Sequence, residues 1–273
     1  MAPDAAFGSS GAPAPVEWID NHCHVARSSD LAGVVADAAA AGVVAMVDVA
    51  CSVDESEQHP GLVAGQPNVW STVGVHPHEA GPDEPRLGRL AELLDEHPDR
   101  VVAVGECGLD YFYEHSPRDA QQRVFAAQVR LAHERDLPLV IHTRDAWDDT
   151  FAVLGAEGVP RRTVFHCFTG GPAEAERCLE LGAVLSISGI VTYASADDLR
   201  AAVALAPLER LMVETDSPYL KPSQANRKGR NQPALVPFVG ATVASVKGLS
   251  VEQVAAATTA QAREFFGLPG AAA

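Results

Sequence analysis

The chain is poor in positive charge. Its 273 residues carry 20 Lys and Arg against 36 Asp and Glu, a formal net charge of −16, and the only lysines are Lys221, Lys228 and Lys247. That balance excludes a general nucleic-acid binder that holds a polyanion by its overall field. Any bound phosphate must meet local positive charge, and bound divalent metal is one source. Cysteine is also scarce: Cys23, Cys51, Cys107, Cys167 and Cys178 are odd in number and form no C-x-x-C pair. A disulfide scaffold or zinc ribbon is therefore excluded, and a reducing compartment fits. No apolar run approaches the roughly 20 residues of a membrane span. Met1 to Pro15 is rich in Ala, Gly, Ser and Pro and lacks the basic start and apolar core of a secretory signal. The expectation is a cytoplasmic protein with no membrane attachment and no obligate protein partner. Residues 1–15 read as a disordered tail, 16–268 as one domain without an internal linker, and 269–273 as a short second tail.

Apolar residues make up 47% of the chain, enough for one large core at a length near the roughly 250 residues common for an α/β barrel. Eight short β-branched runs recur: Val16–Asn21, Val43–Val49, Val69–Val75, Val101–Gly105, Pro138–Ile141, Thr163–Phe165, Ala183–Ser188 and Leu211–Glu214. Helix signals separate them. Leu31 to Ala41 is Ala-rich and stops at Gly42. Ser116-Pro117-Arg118-Asp119 has the order of an N-cap, a first-turn proline and a capping acid, with Phe125, Val129 and Ala132 following on one face. Ser195 with Asp198, and Ser250 with Gln253, are set to cap two later helices. Eight alternations predict an α/β fold, a single-domain TIM (β/α)8 barrel. A doubly wound open sheet shares the local pattern, but the count of eight favours the barrel.

Chemistry-bearing residues recur where the predicted strands end. The first ends at His22 and His24, the third at His76 and His78, the fourth at Glu106, the fifth at His142, the sixth at His166 and the eighth at Asp216. In a parallel barrel these ends share one face, where barrel enzymes build their sites. Alternation lets His22 and His24 point to the same side. Imidazoles mixed with carboxylates suit zinc, manganese or iron, and the set exceeds the usual ligand count of one ion. Ionisable groups inside apolar runs are costly unless paired or metallated. By the same alternation, Cys23, Cys107 and Cys167 should point away as apolar filler, while Cys51 and Cys178 carry no signal.

Six blocks appear in order: Asp20-Asn21-His22-Cys23-His24, Gly74-Val75-His76-Pro77-His78, Gly105-Glu106-Cys107-Gly108-Leu109-Asp110-Tyr111, His142-Thr143-Arg144, His166-Cys167-Phe168-Thr169-Gly170 and Glu214-Thr215-Asp216-Ser217-Pro218-Tyr219-Leu220. Together, from about Val16 to Leu268, the chain resembles the TatD family of metal-dependent deoxyribonucleases, a branch of the amidohydrolase barrels. The resemblance implies a metal-dependent phosphodiester hydrolase, a 3′-5′ exonuclease, that uses two divalent cations (Mg2+, Mn2+ or Zn2+) and takes DNA, single-stranded DNA included, as substrate. His22, His24 and Asp216 would hold one cation, His142 and His166 the other, and Glu106 would bridge them, with Asp216 and Glu106 the catalytic carboxylates. His76 would stand beside the site as a substrate contact or as support for the ligands. The chain departs from the family at Gln261, usually Asn, and at Cys107, often Ile or Thr; neither is a ligand.

Substrate contacts are expected from Arg144, from Tyr111 or Tyr113 stacking on a base, and from Lys228 and Arg230 in the basic loop Asn226–Gln232, unless that loop is simply solvated. The alternative activity is hydrolysis of a carbonyl substrate (a C–N bond, lactone or aminoacyl ester) on the same metal site. Many such barrels bridge their metals with a carboxylated lysine from the fourth strand, and no lysine stands there.

Overall fold

The structure is a computed structural model that describes residues 16–225 and 228–270. The expected tail at 1–15, the last three residues of the 269–273 tail and Arg227 of the basic loop lie outside the described residues. Eight strands form one sheet in sequence order: β1 (Trp18–Cys23), β2 (Val43–Asp48), β3 (Val69–Val73), β4 (Val101–Asp110), β5 (Leu139–Arg144), β6 (Thr163–Phe165), β7 (Val184–Ile187) and β8 (Leu211–Val213). Every neighbouring pair is parallel. Just past β8 the ring is drawn shut: Asp216 N donates to His22 O at 2.9 Å and His24 N to Ser217 O at 2.8 Å. The fold is the expected (β/α)8 barrel. Among the described residues no single helix is long and apolar enough to cross a membrane.

The strands are buried on both faces because helices cover the outside and side chains fill the inside. Ile19, Ala45, Val47, Ala103, Val140, Val164, Val184 and Met212 come from one strand after another and pack with Phe265 and Phe266 of the last helix, Val251–Phe266. That helix opens with the expected capping box, Ser250 and Gln253 bonding each other's backbone N–H groups. The helix Arg118–Arg135 does not use the cap read from its sequence. Ser116 Oγ instead donates to His78 O at 2.8 Å and accepts from Gly81 N at 3.0 Å, joining two loops. The helix Asp197–Leu205 likewise starts without a side-chain cap.

Strand β4 differs most from expectation. It continues five residues past Gly105, because β5 also runs on to Arg144 and pairs Gly108 with His142 and Asp110 with Arg144. Glu106 therefore lies within a paired strand rather than at its frayed end. Two glycines let the backbones close up there. A Cβ on Gly74 would fall 2.4 Å from the Gly105 carbonyl carbon, and Gly105 has φ +128° with the Val140 carbonyl 2.5 Å from any added Cβ. Only glycine meets both demands. Gly74→Ala should therefore destabilise the barrel by about 1–3 kcal/mol through overpacking; an unchanged thermal midpoint would show that the approach of β3 to β4 is not tight.

Candidate metal centre

The inward strand positions step from apolar to polar toward one end of the barrel. Two residues beyond Val140, Val164, Val184 and Met212 stand His142, His166, Ser186 and Glu214. The period of two along a strand keeps each successor on the same inner face. At this level Glu106 occupies the middle. Its Oε1 is 2.7 Å from His166 Nε2, 3.0 Å from His142 Nδ1 and 3.4 Å from His76 Nε2. Its Oε2 is 3.4 Å from His22 Nε2 and 4.0 Å from His24 Nε2. Asp216 Oδ1 adds to the second side, 3.3 Å from His24 Nε2 and 3.8 Å from His22 Nε2. Asp216 takes a left-handed backbone turn (φ +52°), which aspartate tolerates better than most residues.

These residues fit divalent cations. His22 is wholly buried, and neither of its ring nitrogens has a hydrogen-bond partner. An unpaired buried polar atom costs about 1–3 kcal/mol, and coordination by a cation removes that cost for one of the two nitrogens. Three sets have donor atoms within 4.8 Å of one another: His22 with His166 and Asp216, His22 with His24 and Glu106, and His76 with Glu106 and His142. The six expected ligands are thus gathered in one place. His76, expected beside them, stands within the same donor cluster.

Outer groups aim the imidazoles. Val49 O holds His24 Nδ1 at 2.9 Å, Glu214 Oε1 holds His166 Nδ1 at 3.3 Å, and Asp110 Oδ2 holds His142 Nε2 at 3.1 Å. Asp110 also reaches His78 Nε2 at 3.2 Å and accepts from the Phe112 and Tyr113 backbone N–H groups. Glu214 is fixed in turn by the Cys167 N–H and by Ser186 Oγ, which also bonds Asn21. Such partners set the tautomer and orientation of a ligating histidine. The sequence carried no signal that singled out Asp110 or Glu214 beyond their places in the motifs.

Charge follows from this packing. Burial alone would raise Glu106, but His166, His76 and His142 hold it well below the usual carboxylate range. Burial also works against Asp216, which His24, His22 and His166 keep depressed. Burial pushes His22 and His76 down, with neighbouring imidazoles adding to the effect, so both are in the neutral form that donates to a metal. Burial would also lower His166 and His142, but Glu106 with Glu214 raises the first, and Asp110 with Glu106 the second. Beneath the ligands, burial pushes Asp20 up to about 8 even though Thr215 donates to it.

A cavity of about 850 Å3 opens over the cluster, and its wall includes Arg27, Cys51, Tyr113, Arg144, Cys167, Asp216 and Tyr219. Arg144 is where the sequence placed it, its guanidinium 3.9 Å from the Phe112 ring centre and 4.8 Å from that of Tyr113. Tyr111 is not in the wall. Its hydroxyl donates to Asp149 at 2.7 Å and accepts from Gln122 at 2.8 Å, and Arg118 covers its ring. Lys228 and Arg230 are exposed on the loop after β8, also outside the wall. Cys23 and Cys107 are buried filler, as alternation required. Cys167 departs from it: a left-handed turn (φ +42°) brings this residue to the cavity, 3.3 Å from Ser188 Oγ. Cys51, which had no signal in sequence, also faces the cavity.

The profile of the family described as TatD related DNase matches residues 19–267. The chain belongs to that family. It is 39% identical over 249 residues to a Klebsiella pneumoniae protein named 3′-5′ ssDNA/RNA exonuclease TatD, covering 88% of this chain and 93% of that one. It is 40% identical over 250 residues to YcfH of Escherichia coli K12, named an uncharacterized metal-dependent hydrolase, with 88% and 92% covered. The crystal structure of YjjV, a TatD homologue from E. coli, superposes with a TM-score of 0.87 at 29% identity over 93% of this chain and 99% of its own.

Two outcomes test the centre of this TatD-family barrel. Glu214→Gln should weaken cation binding about 10–100-fold while leaving the fold intact; wild-type affinity would mean that His166 needs no outer acceptor. Cation uptake near neutral pH should also expel protons, because the carboxylates beside His142 and His166 raise both rings toward the protonated form, and a ring must lose its proton before that nitrogen can donate. Calorimetry in two buffers of different ionisation heat should show net release of about one proton or more, with affinity falling as pH drops. No dependence on the buffer would contradict it.

Proposed function

We propose that this chain is a 3′-5′ exonuclease that hydrolyses phosphodiester bonds in single-stranded DNA with two divalent cations. Membership of the TatD family makes it a metal-dependent hydrolase acting on ester bonds. The observation that carries the finer reading is the position of Glu106, whose two oxygens each face a different group of donors. In this reading His22, His24 and Asp216 would hold one cation, His142 and His166 the other, and Glu106 would be shared between them, with His76 as a further donor or substrate contact. The cations, Mg2+, Mn2+ or Zn2+, supply Lewis acidity, polarising the phosphodiester and making water acidic near neutral pH.

The protein's own groups do the rest. Asp216 is the more accessible of the two carboxylates, its side chain 13% exposed against 4% for Glu106, and it lies in the cavity wall. Its depressed range keeps it anionic, so it serves as the acceptor of the attacking water's proton. Arg144, held over Phe112 and Tyr113, meets a phosphate. Tyr113 and Tyr219, 53% and 63% exposed and both lining the cavity, offer faces for unpaired bases, a contact worth about 1–3 kcal/mol per base. Five free cysteines suit a reducing compartment, and we assign the enzyme to the cytoplasm.

Carbonyl hydrolysis is the weaker reading. A glutamate, not a lysine, stands at the centre, and the likeness to a lactonase from Deinococcus radiodurans, at a TM-score of 0.62 and 16% identity, is one of fold alone.

The deciding experiment strips the protein of metal, restores Mg2+, Mn2+ or Zn2+, and assays single-stranded DNA, RNA, a generic phosphodiester, a lactone and an amide together. Restored 3′-end trimming of single-stranded DNA is the expected result; turnover of carbonyl substrates alone would reverse the assignment. Asp216→Asn should lower kcat at least about 10²-fold, as loss of a general base does, and wild-type turnover would remove Asp216 from the chemistry. With two arginines in the wall, the slope of log affinity against log salt should be shallow, roughly −1 to −2. A slope steeper than about −4 would mean phosphate contacts well beyond the cavity.

A further inference from the structure

Arg27 stands in the cavity wall, on the turn that follows β1. Ser28 N donates to Val25 O at 2.8 Å and closes a four-residue turn with Ala26 and Arg27 at its corner. The turn is pinned from beneath. Asp48, the wholly buried last residue of β2, accepts the Val25 and Ala26 N–H groups on Oδ1, each at 2.7 Å. Its other oxygen is 2.7 Å from Nδ1 of His59, a buried residue of the helix Val53–Val63. A buried carboxylate is costly unless it is paired, and two backbone donors and an imidazole surround this one. The result is a guanidinium on a side chain 62% exposed, carried by a backbone that three hydrogen bonds hold in place.

The strand order puts Arg27 across the barrel from Arg144. Arg27 follows β1 and Arg144 ends β5, four strands on in a ring of eight, so the two stand on opposite sides of the mouth with the donor cluster between them. Eight strands about 4.8 Å apart and tilted about 36° make a ring roughly 15 Å across. Each arginine also keeps to its own side. Arg27 Nη1 is 3.5 Å from Glu55 Oε1 on the helix after β2, whereas Arg144 lies over Phe112 and Tyr113 just past β4. One phosphate therefore does not meet both. The contact of Arg27 with Glu55 is long and open to solvent, and pairs of that kind are weak enough for a phosphate to displace.

We propose that Arg27 is a specificity-determining contact for a second substrate phosphate, on the far side of the scissile bond from the one that Arg144 meets, and that Asp48 and His59 are positioning residues that hold it there. The favoured substrate is then a short single-stranded stretch laid across the mouth between the β1 and β5 sides, with the scissile phosphate over the donor cluster and a gripped neighbour to either side. A phosphodiester with a single phosphate occupies the centre alone and gains nothing from Arg27. The inference rests on the nuclease reading of the site.

The test compares two substrates. Full-length, metal-restored protein is assayed on a single-stranded DNA decamer and on bis(p-nitrophenyl) phosphate, a diester with a single phosphate. Arg27→Ala should lose about fivefold or more in kcat/KM on the decamer relative to its loss on the small diester, with the difference in KM, and its salt slope on the decamer should flatten by about 0.7. His59→Ala, or His59→Gln if the alanine variant does not fold, should move the same ratio in the same direction with the circular dichroism of wild type. The double variant with Arg27→Ala should lose no more than Arg27→Ala alone, because the two residues act through one contact. Equal losses on the two substrates, or an unchanged salt slope, would overturn the contact. Additive losses in the double variant would overturn the positioning role. A wild type that cuts the small diester and not the decamer would overturn the nuclease reading and this inference with it; a wild type that cuts both, matched by Arg27→Ala, would overturn this inference alone.

Discussion

One carboxylate set among five imidazoles governs this structure. Glu106 is nearly buried, and a buried charge costs several kcal/mol unless it is paired and hydrogen-bonded. His22, His24, His76, His142 and His166 all turn a nitrogen toward it. They cannot all be protonated at once, because each charged ring disfavours the next and burial penalises every one. A bound metal ion would resolve the conflict by supplying positive charge at a fixed point while leaving the rings neutral.

The barrel makes that arrangement rigid. The five imidazoles arrive on four strands or at their ends, two of them from β1, and the groups that orient His24, His142 and His166 come from elsewhere in the ring: Val49 after β2, Asp110 at the end of β4, Glu214 after β8. Any of these three that turned away would forfeit its outer hydrogen bond as well as its place at the centre. Sites supported in this way hold their geometry better than sites on free loops. The glycines at 74 and 105 belong to the same design: Gly74 lets the chain after β3 approach β4 closely enough to bring His76 to Glu106, and Gly105 lets β4 approach β5.

An enzyme with a net charge of −16 must handle a polyanion by local means. Most of its arginines are tied to acids on the outer helices, as in the contacts of Arg89 with Glu57, Glu92 and Glu96. In the cavity wall Arg27 faces Glu55, and Arg144 rests on two aromatic rings. Attraction is therefore concentrated at the centre and its rim, which favours a single reacting phosphate over a long bound strand. The exposed rings of Tyr113 and Tyr219 can add affinity for unpaired bases without adding charge.

The linear order of residues determined the barrel, the gathering of His22, His24, Glu106, His142, His166 and Asp216, and the end of the barrel at which they meet. Period-two alternation places His142 and His166 two steps beyond Val140 and Val164, and eight apolar runs demand a closed parallel sheet to bury them. Other features were decided by contacts that no local pattern encodes. The extension of β4 depends on its pairing with β5, the release of Ser116 from its helix cap on a neighbouring loop, and the retreat of Tyr111 on Asp149. Cys167 reaches the cavity through a left-handed turn that breaks alternation, and Cys51 through bonds to Glu55 and His76. Periodicity is a property of neighbours along the chain and can be read there. Which thiol, tyrosine or hydroxyl faces the metal centre is set by partners dozens of residues away, and only the folded barrel brings them together.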